Sequence, residues 1–343
     1  MKDCAVIILN WNGRGFLELF LEGVVSKSPG CDVVIADNGS SDGSQAYVRE
    51  NFPAVKLLEF DKNYGFAGGY NRAVSMVGNE YVCLLNSDVE VTDGWYKAPL
   101  AYLRDNDKCA ACQPKILSWK ARDTFEFAGA CGGFMDVLGY PFCRGRVVSN
   151  LEKDSGQYDT VSKVFWATGA CFFTRRADYL ANGGLDECFI AHQEEIDLCW
   201  RFNARGRYVA VVPESSVYHV GGGTLNASNP YKTYLNFRNN QLMLYKNMAG
   251  MRYVAVFMLR IASDYLSAVL FLLQGKSKDA LAVVKARKDF HKMRSSLSLA
   301  RKENLQKTTV TISNLNGVYK GSMLAAYYLA GKKTFQELMP NKS

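Results

Sequence analysis

The feature that most constrains this chain is the alternation in its first 90 residues. Ala5-Val6-Ile7-Ile8-Leu9 is an unbroken apolar run, as in a strand buried on both faces. Residues 16–25 repeat with helical period. Residues 33–36, 55–60 and 81–85 are three more strand-like runs, and 69–77 reads as helix between the last two. Turn residues separate them at 12–15, 38–43 and 63–69. Strands alternating with helices predict an α/β fold built on an open, mostly parallel twisted sheet flanked by helices. Ligands of such sheets sit beyond the carboxyl ends of the strands, which here carry Asn10, Asp37, Lys62-Asn63 and Asp88.

The middle, 110–225, is less regular. It holds strand-like pieces at 110–117, 164–168, 171–174 and 208–212, and a helix at 194–204. A short strand ends at His219, just before Gly221-Gly222-Gly223, and 231–248 reads as a helix rich in Asn and aromatics. Beyond 250 the character changes. Residues 253–273 are strongly apolar but contain Arg260 and Asp264 four apart, and 276–302 is basic. Charges at mid-bilayer are costly, so a helical region lying on an anionic membrane surface is preferred. Packing against the body or a second subunit, and a true span, stay open. The expected division is 1–245 and a helical, basic 246–343.

Residues 276–343 hold 14 Lys/Arg against four Asp/Glu, whereas the first 275 residues are close to neutral. That excess suits an anionic membrane surface, and no nucleic-acid recognition motif accompanies it. The ten cysteines are scattered, with one CxxC at Cys109 and Cys112 and only three histidines in the chain, so a zinc site is not expected. No secretory signal precedes the first strand, and free thiols then fit a cytoplasmic location.

Four features could carry chemistry. Asp37, at a strand end, can accept from a base N–H or a ribose hydroxyl, or simply cap a turn. The loop 63–71 has glycines that let backbone approach a ligand, ahead of a helix start whose free N–H groups suit phosphate. Asp88 is a candidate ligand for a hard cation, with Glu90 a weaker one. Glu194, Glu195 and Asp197 cluster at a helix start, where one could act as a general base; the ordinary alternative is a solvated face, with Asp197 paired to Arg201 across one turn. His219 is either a structural histidine or part of a metal or phosphate site.

Taken together, the ordered pieces Ile8-Leu9-Asn10-Trp11-Asn12-Gly13, Asp37-Asn38-Gly39-Ser40-Ser41-Asp42-Gly43-Ser44, Asn63-Tyr64-Gly65-Phe66-Ala67-Gly68-Gly69, Leu84-Leu85-Asn86-Ser87-Asp88 and Glu194-Glu195-Ile196-Asp197-Leu198 resemble the inverting family 2 glycosyltransferases of the GT-A fold, nearest the bacterial rhamnosyltransferase-like branch. The resemblance covers about the first 240 residues. It implies a transferase that moves rhamnose or another hexose from a dTDP- or UDP-sugar to a glycan or lipid-linked acceptor in cell-surface polysaccharide synthesis. The enzyme would work on the inner face of the cytoplasmic membrane. It further implies that Asn10, Asn12, Asp37, Asn38, Ser40, Asn63, Gly65, Phe66, Gly68, Asn71 and Asn86 line the nucleotide-sugar. Asp88 and His219 would hold Mg²⁺ or Mn²⁺, and Glu195, with Glu194 as rival, would be the catalytic base. Three positions depart from the pattern: Asn86 for the first Asp of Asp-X-Asp, Glu195 for Asp, and His192 for an aromatic.

A dinucleotide fingerprint fails, because Glu18 stands at its third glycine. The alternative within the same fold is a non-catalytic nucleotide-sugar-binding scaffold. Oligomeric state is left open.

Overall fold

The computed structural model describes residues 2–221 and 229–340; Gly222 and Gly223 of the glycine turn lie outside them. The expected alternation is there: β1 (Cys4–Asn10), α1 (Arg14–Lys27), β2 (Cys31–Asp37), α2 (Ser44–Asn51), β3 (Lys56–Glu59), α3 (Gly65–Met76) and β4 (Tyr81–Asn86). β5 (Val89–Val91), α4 (Lys97–Asp105) and β6 (Cys109–Ser118) follow, then four short strands, β7 (Gly133–Asp136), β8 (Pro141–Cys143), β9 (Arg146–Val147) and β10 (Asn150–Leu151). β11 (Ser162–Val164), β12 (Cys171–Arg175), α5 (Arg176–Ala181), α6 (Glu194–Ala204) and β13 (Tyr208–His219) complete the body.

The main sheet runs β11-β13-β6-β12-β4-β1-β2-β3, with β5 paired to β13. Its β4-β1-β2-β3 half is parallel, as expected, but β12, β11 and β5 pair antiparallel, so the sheet as a whole is mixed. Successive β1 residues alternate faces: Cys4, Val6 and Ile8 join the core under α1 and α4, while Ala5 and Ile7 join the core on the opposite face. Both faces are covered, which is why these strands read as continuous apolar runs. The pieces expected at 208–212 and 217–219 are one strand, β13, interrupted by an irregularity between Val212 and Ser216. Residues 165–168 lie outside any strand, although Trp166 bridges Gly133.

The C-terminal region comprises α7 (Pro230–Asn247), α8 (Gly250–Leu273), α9 (Ser277–Met293), α10 (Ser298–Gln306), β14 (Val318–Tyr319), α11 (Met323–Tyr328) and α12 (Phe335–Leu338). Its last stretch returns to the body. β14 extends the small β10-β9-β8-β7 sheet in parallel with β7. Phe335 is fully buried among Phe134, Phe142 and Tyr158, with ring centroids 4.6, 6.1 and 5.7 Å away. The core therefore runs across residue 245. Arg260 and Asp264 do not interrupt α8 on its outside. Both are buried, Arg260 stacked on Tyr140 and Asp264 bonded to Arg287 Nη1 at 2.6 Å and Gln241 Nε2 at 3.1 Å.

All ten cysteines are free thiols, nine of them buried. Cys109 and Cys112 lie inside β6, and burial pushes both thiols up, which fits a packing role rather than a redox one.

Candidate active site

The carboxyl ends of β1, β2 and β4 meet along one edge of the sheet. Asp37 is buried there. Its Oδ2 accepts from Asn10 Nδ2 at 2.9 Å, and its Oδ1 accepts from Ser40 N at 2.9 Å and Gln45 Nε2 at 2.7 Å. Asn10 Nδ2 also donates to Ser40 Oγ, while Asn10 Oδ1 is buried with no partner. A buried acceptor left without a partner is one for which a ligand N–H or O–H would supply the missing bond. Asn12, held at positive φ, donates its N–H to Ser40 Oγ and accepts from Ser41 N through Oδ1. The exposed Trp11 side chain stands between these two asparagines.

Asn38 and Asn63 tie this edge to the glycine-rich loop. Asn38 Nδ2 donates to Asn63 Oδ1 and Gly65 O, and Asn38 Oδ1 accepts from Tyr64 N. A methyl on Gly69 would lie 2.6 Å from Leu9 Cδ1, so the start of α3 packs against β1 only because that residue has no side chain. Phe66 leans edge-on against Tyr70, whose hydroxyl donates to Leu85 O. Asn71 is taken up structurally: its Nδ2 donates to Leu185 O, and its Oδ1 accepts from Tyr179 Oη and Leu185 N. It fastens α3 to the turn that leads toward α6.

That turn is strained. Ile190, His192 and Gln193 all have positive φ, a costly backbone for residues with a Cβ. Residues of α7 hold it in place. Asn239 Nδ2 donates to the carbonyls of Phe189, Ala191 and His192, and Asn240 Nδ2 to Gln193 Oε1. These ties present Glu194 and Glu195 in the first turn of α6, near its positive dipole end. Glu194 is buried, its Oε2 has no partner, and burial followed by the adjacent Glu195 pushes its carboxyl well above the usual range. Glu195 is half-buried, also with an unpartnered Oε2, and burial raises it to about 7. Asp197 plays a different part: it is fully buried and bonded to Lys246, Arg201 and Asn247. His192 is pushed down to about 4 by burial and by Lys232, so it stays neutral.

On the other flank, β5 pairs with β13 so that His219 stands opposite Val89, and Val220 N donates to Asp88 O. This register brings His219 Nε2 to 3.1 Å from Asp88 Oδ1. Its other ring nitrogen lies 3.6 Å from Glu126 Oε1. Burial works against charge on the ring, but hydrogen bonds to the two carboxylates outweigh it and raise His219 to about 10. Glu126 was not singled out in the sequence, since nothing local marks it; only the pairing of distant segments puts it here. Glu90 is otherwise engaged, bonded to Trp119 and Arg122.

Among the described residues no group of three or more His, Cys, Asp or Glu is arranged to hold a metal ion. Asp88 and His219 nevertheless supply one hard oxygen and one imidazole nitrogen aimed at each other. The positive charge that now sits between carboxylates is the imidazolium's own. A divalent cation would first have to displace the Nε2 proton of that imidazolium, after which the pair would suit Mg²⁺ or Mn²⁺.

Contacts run from the end of β4 to the glycine-rich loop. Ser87 Oγ lies 3.6 Å from where a Gly13 Cβ would be, Asn86 N donates to Ala170 O, and Gly169 abuts Phe66. The glycine loop in turn meets the strained turn, with Ile190 O 3.6 Å from a Cβ built on Gly65.

Residues 5–127 match the family model for glycosyl transferase family 2. An N-acetylglucosaminyl-diphospho-decaprenol L-rhamnosyltransferase of Mycobacterium tuberculosis is 26% identical over 233 residues, covering 62% of this chain and 75% of the relative. Two solved structures share the fold at low identity. S. aureus TarS 1-349 in complex with UDP-GlcNAc has a TM-score of 0.56 at 16% identity, covering 90% of this chain and 89% of that one. A mannosyltransferase from Pyrobaculum calidifontis in complex with GDP-Man and Mn²⁺ has a TM-score of 0.51 at 15% identity, covering 89% and 88%.

Proposed function

We propose that this chain, whose N-terminal domain belongs to glycosyltransferase family 2, inverts the anomeric carbon of a nucleotide-sugar while passing the sugar to a lipid-linked glycan. The observation that carries this reading is Glu195, a carboxylate without a partner on one oxygen and tuned to about 7, close to the pKa a general base needs near neutral pH. Glu194, whose carboxyl is pushed up by burial and by the adjacent Glu195, forms the buried wall of the site beside it.

Asn10, Asn12, Asp37, Asn38 and Ser40 form the rim for base and ribose, with the open Asn10 Oδ1 as the acceptor for a pyrimidine N3–H. Gly65, Phe66, Gly68 and Asn63 floor the sugar–diphosphate region, and Asn86 borders it. Asp88 and His219 would hold a divalent cation, whose chemistry is to neutralise charge on the departing diphosphate. The acceptor hydroxyl gives its proton to Glu195. Its oxygen bonds to the anomeric carbon on the face opposite the leaving group, and the bond to the diphosphate breaks with inversion. A single carboxylate suffices for one displacement.

The donor assigned is a dTDP- or UDP-sugar, with rhamnose favoured by the relative that is named a rhamnosyltransferase. The test is a screen of nucleotide-sugars with Mg²⁺ or Mn²⁺, read as release of nucleoside diphosphate, for wild type and Glu195→Gln. Release by wild type alone supports the proposal. Nucleotide binding without release from any donor, in the presence of a glycan acceptor, would favour the non-catalytic scaffold.

A further inference from the structure

α8 is built inside out. Its polar residues face the protein: Arg260 and Asp264 are buried, and Ser263 and Ser267 are partly so. Its outer side is apolar over nearly six turns. Met258, Leu259, Leu266 and Leu273 are 61%, 57%, 60% and 79% exposed, and Leu281 on α9 extends the patch at 69%. Monomeric soluble proteins do not present faces of this kind to water without a use for them. α8 is also the one helix among the described residues long and apolar enough to cross a membrane, with a mean hydropathy of 1.8.

We infer that this face docks in the plane of an anionic lipid surface, half-embedded, with the adjoining basic stretch against the headgroups. Three observations choose this occupant over the others. First, exposed Lys276, Lys278, Lys285, Lys288, Lys292 and Arg294 follow the apolar helix, a flanking charge of the sign that anionic headgroups attract. Second, a symmetric contact between two copies would bring the same basic stretches together, which like-charge repulsion opposes. Third, α8 is tied to the body along its inner side. Arg260 Nη1 donates to Leu138 O, Tyr140 Oη pairs with Ser263 Oγ at 2.8 Å, and Arg287 and Gln241 hold Asp264. A spanning helix would have to leave that buried charge network or carry it into hydrocarbon. The docking does not depend on the reaction proposed above, because it rests on the outer face of α8 rather than on the cleft.

The test is flotation of the full chain with vesicles of phosphatidylcholine mixed with phosphatidylglycerol, and with phosphatidylcholine alone. A companion triple variant is Met258→Gln, Leu266→Gln and Leu270→Gln, three exposed positions whose change leaves the packed side untouched. Wild type is expected to float with the mixed vesicles, less so at high salt, and to be released by alkaline carbonate. The triple variant should partition at least about tenfold less while melting like wild type and releasing nucleoside diphosphate in lipid-free solution at the wild-type rate. Equal flotation of the two proteins would overturn the inference. So would a wild type that ignores both vesicles yet runs as a dimer that the triple variant loses, which would assign the face to a second copy. Resistance to carbonate would assign it to a span.

Discussion

With Glu195 as the base proposed above, the pH dependence of transfer should be set by that one carboxyl. Burial holds Glu195 at about 7, whereas an ordinary glutamate titrates near ~4.3. A base works in its deprotonated form, so activity is retained above pH ~7 and lost as pH falls through it. About half of the enzyme is competent at pH ~7 and about a tenth at pH ~6, so kcat/KM should drop about tenfold per unit below that. The ionised form is also the less stable one. Since the folded state binds the proton more tightly than the unfolded chain, this group lowers stability progressively between pH ~4.3 and ~7. Glu195→Gln should reduce turnover by about 10²–10⁴-fold, abolish the acid limb and remove that stability slope. Glu194→Gln removes the rival carboxyl and should keep the limb. The assay is nucleoside diphosphate release from an accepted donor across pH, with donor affinity followed separately. A flat wild-type profile down to pH ~5, or full turnover in Glu195→Gln, would refute the assignment.

Three further outcomes follow from particular contacts. Asp88→Asn removes the carboxylate 3.1 Å from His219 Nε2 and should weaken Mn²⁺-dependent nucleotide binding at least about tenfold by calorimetry; unchanged binding would move the cation elsewhere. Phe335→Ala empties a fully buried aromatic site far along the chain from the cleft and should cost about 3–5 kcal/mol, lowering Tm by about 4–7 °C; a smaller change would mean that α12 adds little to the body. Asp264→Ala leaves Arg260 and Arg287 buried without their carboxylate and should destabilise by about 3–5 kcal/mol in urea; a neutral result would show that water reaches that cluster.

The sequence made the first 90 residues legible because each parallel strand is a short apolar run whose end carries the polar ligand candidates. Local periodicity was enough to place Asn10, Asp37 and Asp88 on one edge. It was not enough for features made by distant pairing. Glu126 reaches His219 only because β6 and β13 run side by side, and it sits in a loop with no pattern of its own. β14 is two residues long and pairs with a strand some 180 residues earlier, beyond any window that reads periodicity. Arg260 and Asp264 looked like interruptions in an apolar run, because their partners, Arg287, Gln241 and Tyr140, come from three other segments. The strain at Ile190 and Gln193 was equally hidden, since neither is a residue that advertises positive φ.

The most direct test is the stereochemistry of one turnover. With an α-linked donor that the enzyme accepts, proton NMR of the freshly formed product should show the anomeric proton of a β-linkage, and a β-linked donor should give an α-product. A product that keeps its donor's configuration would require an intermediate held on the protein, and Glu195 would no longer be the base behind the sugar carbon.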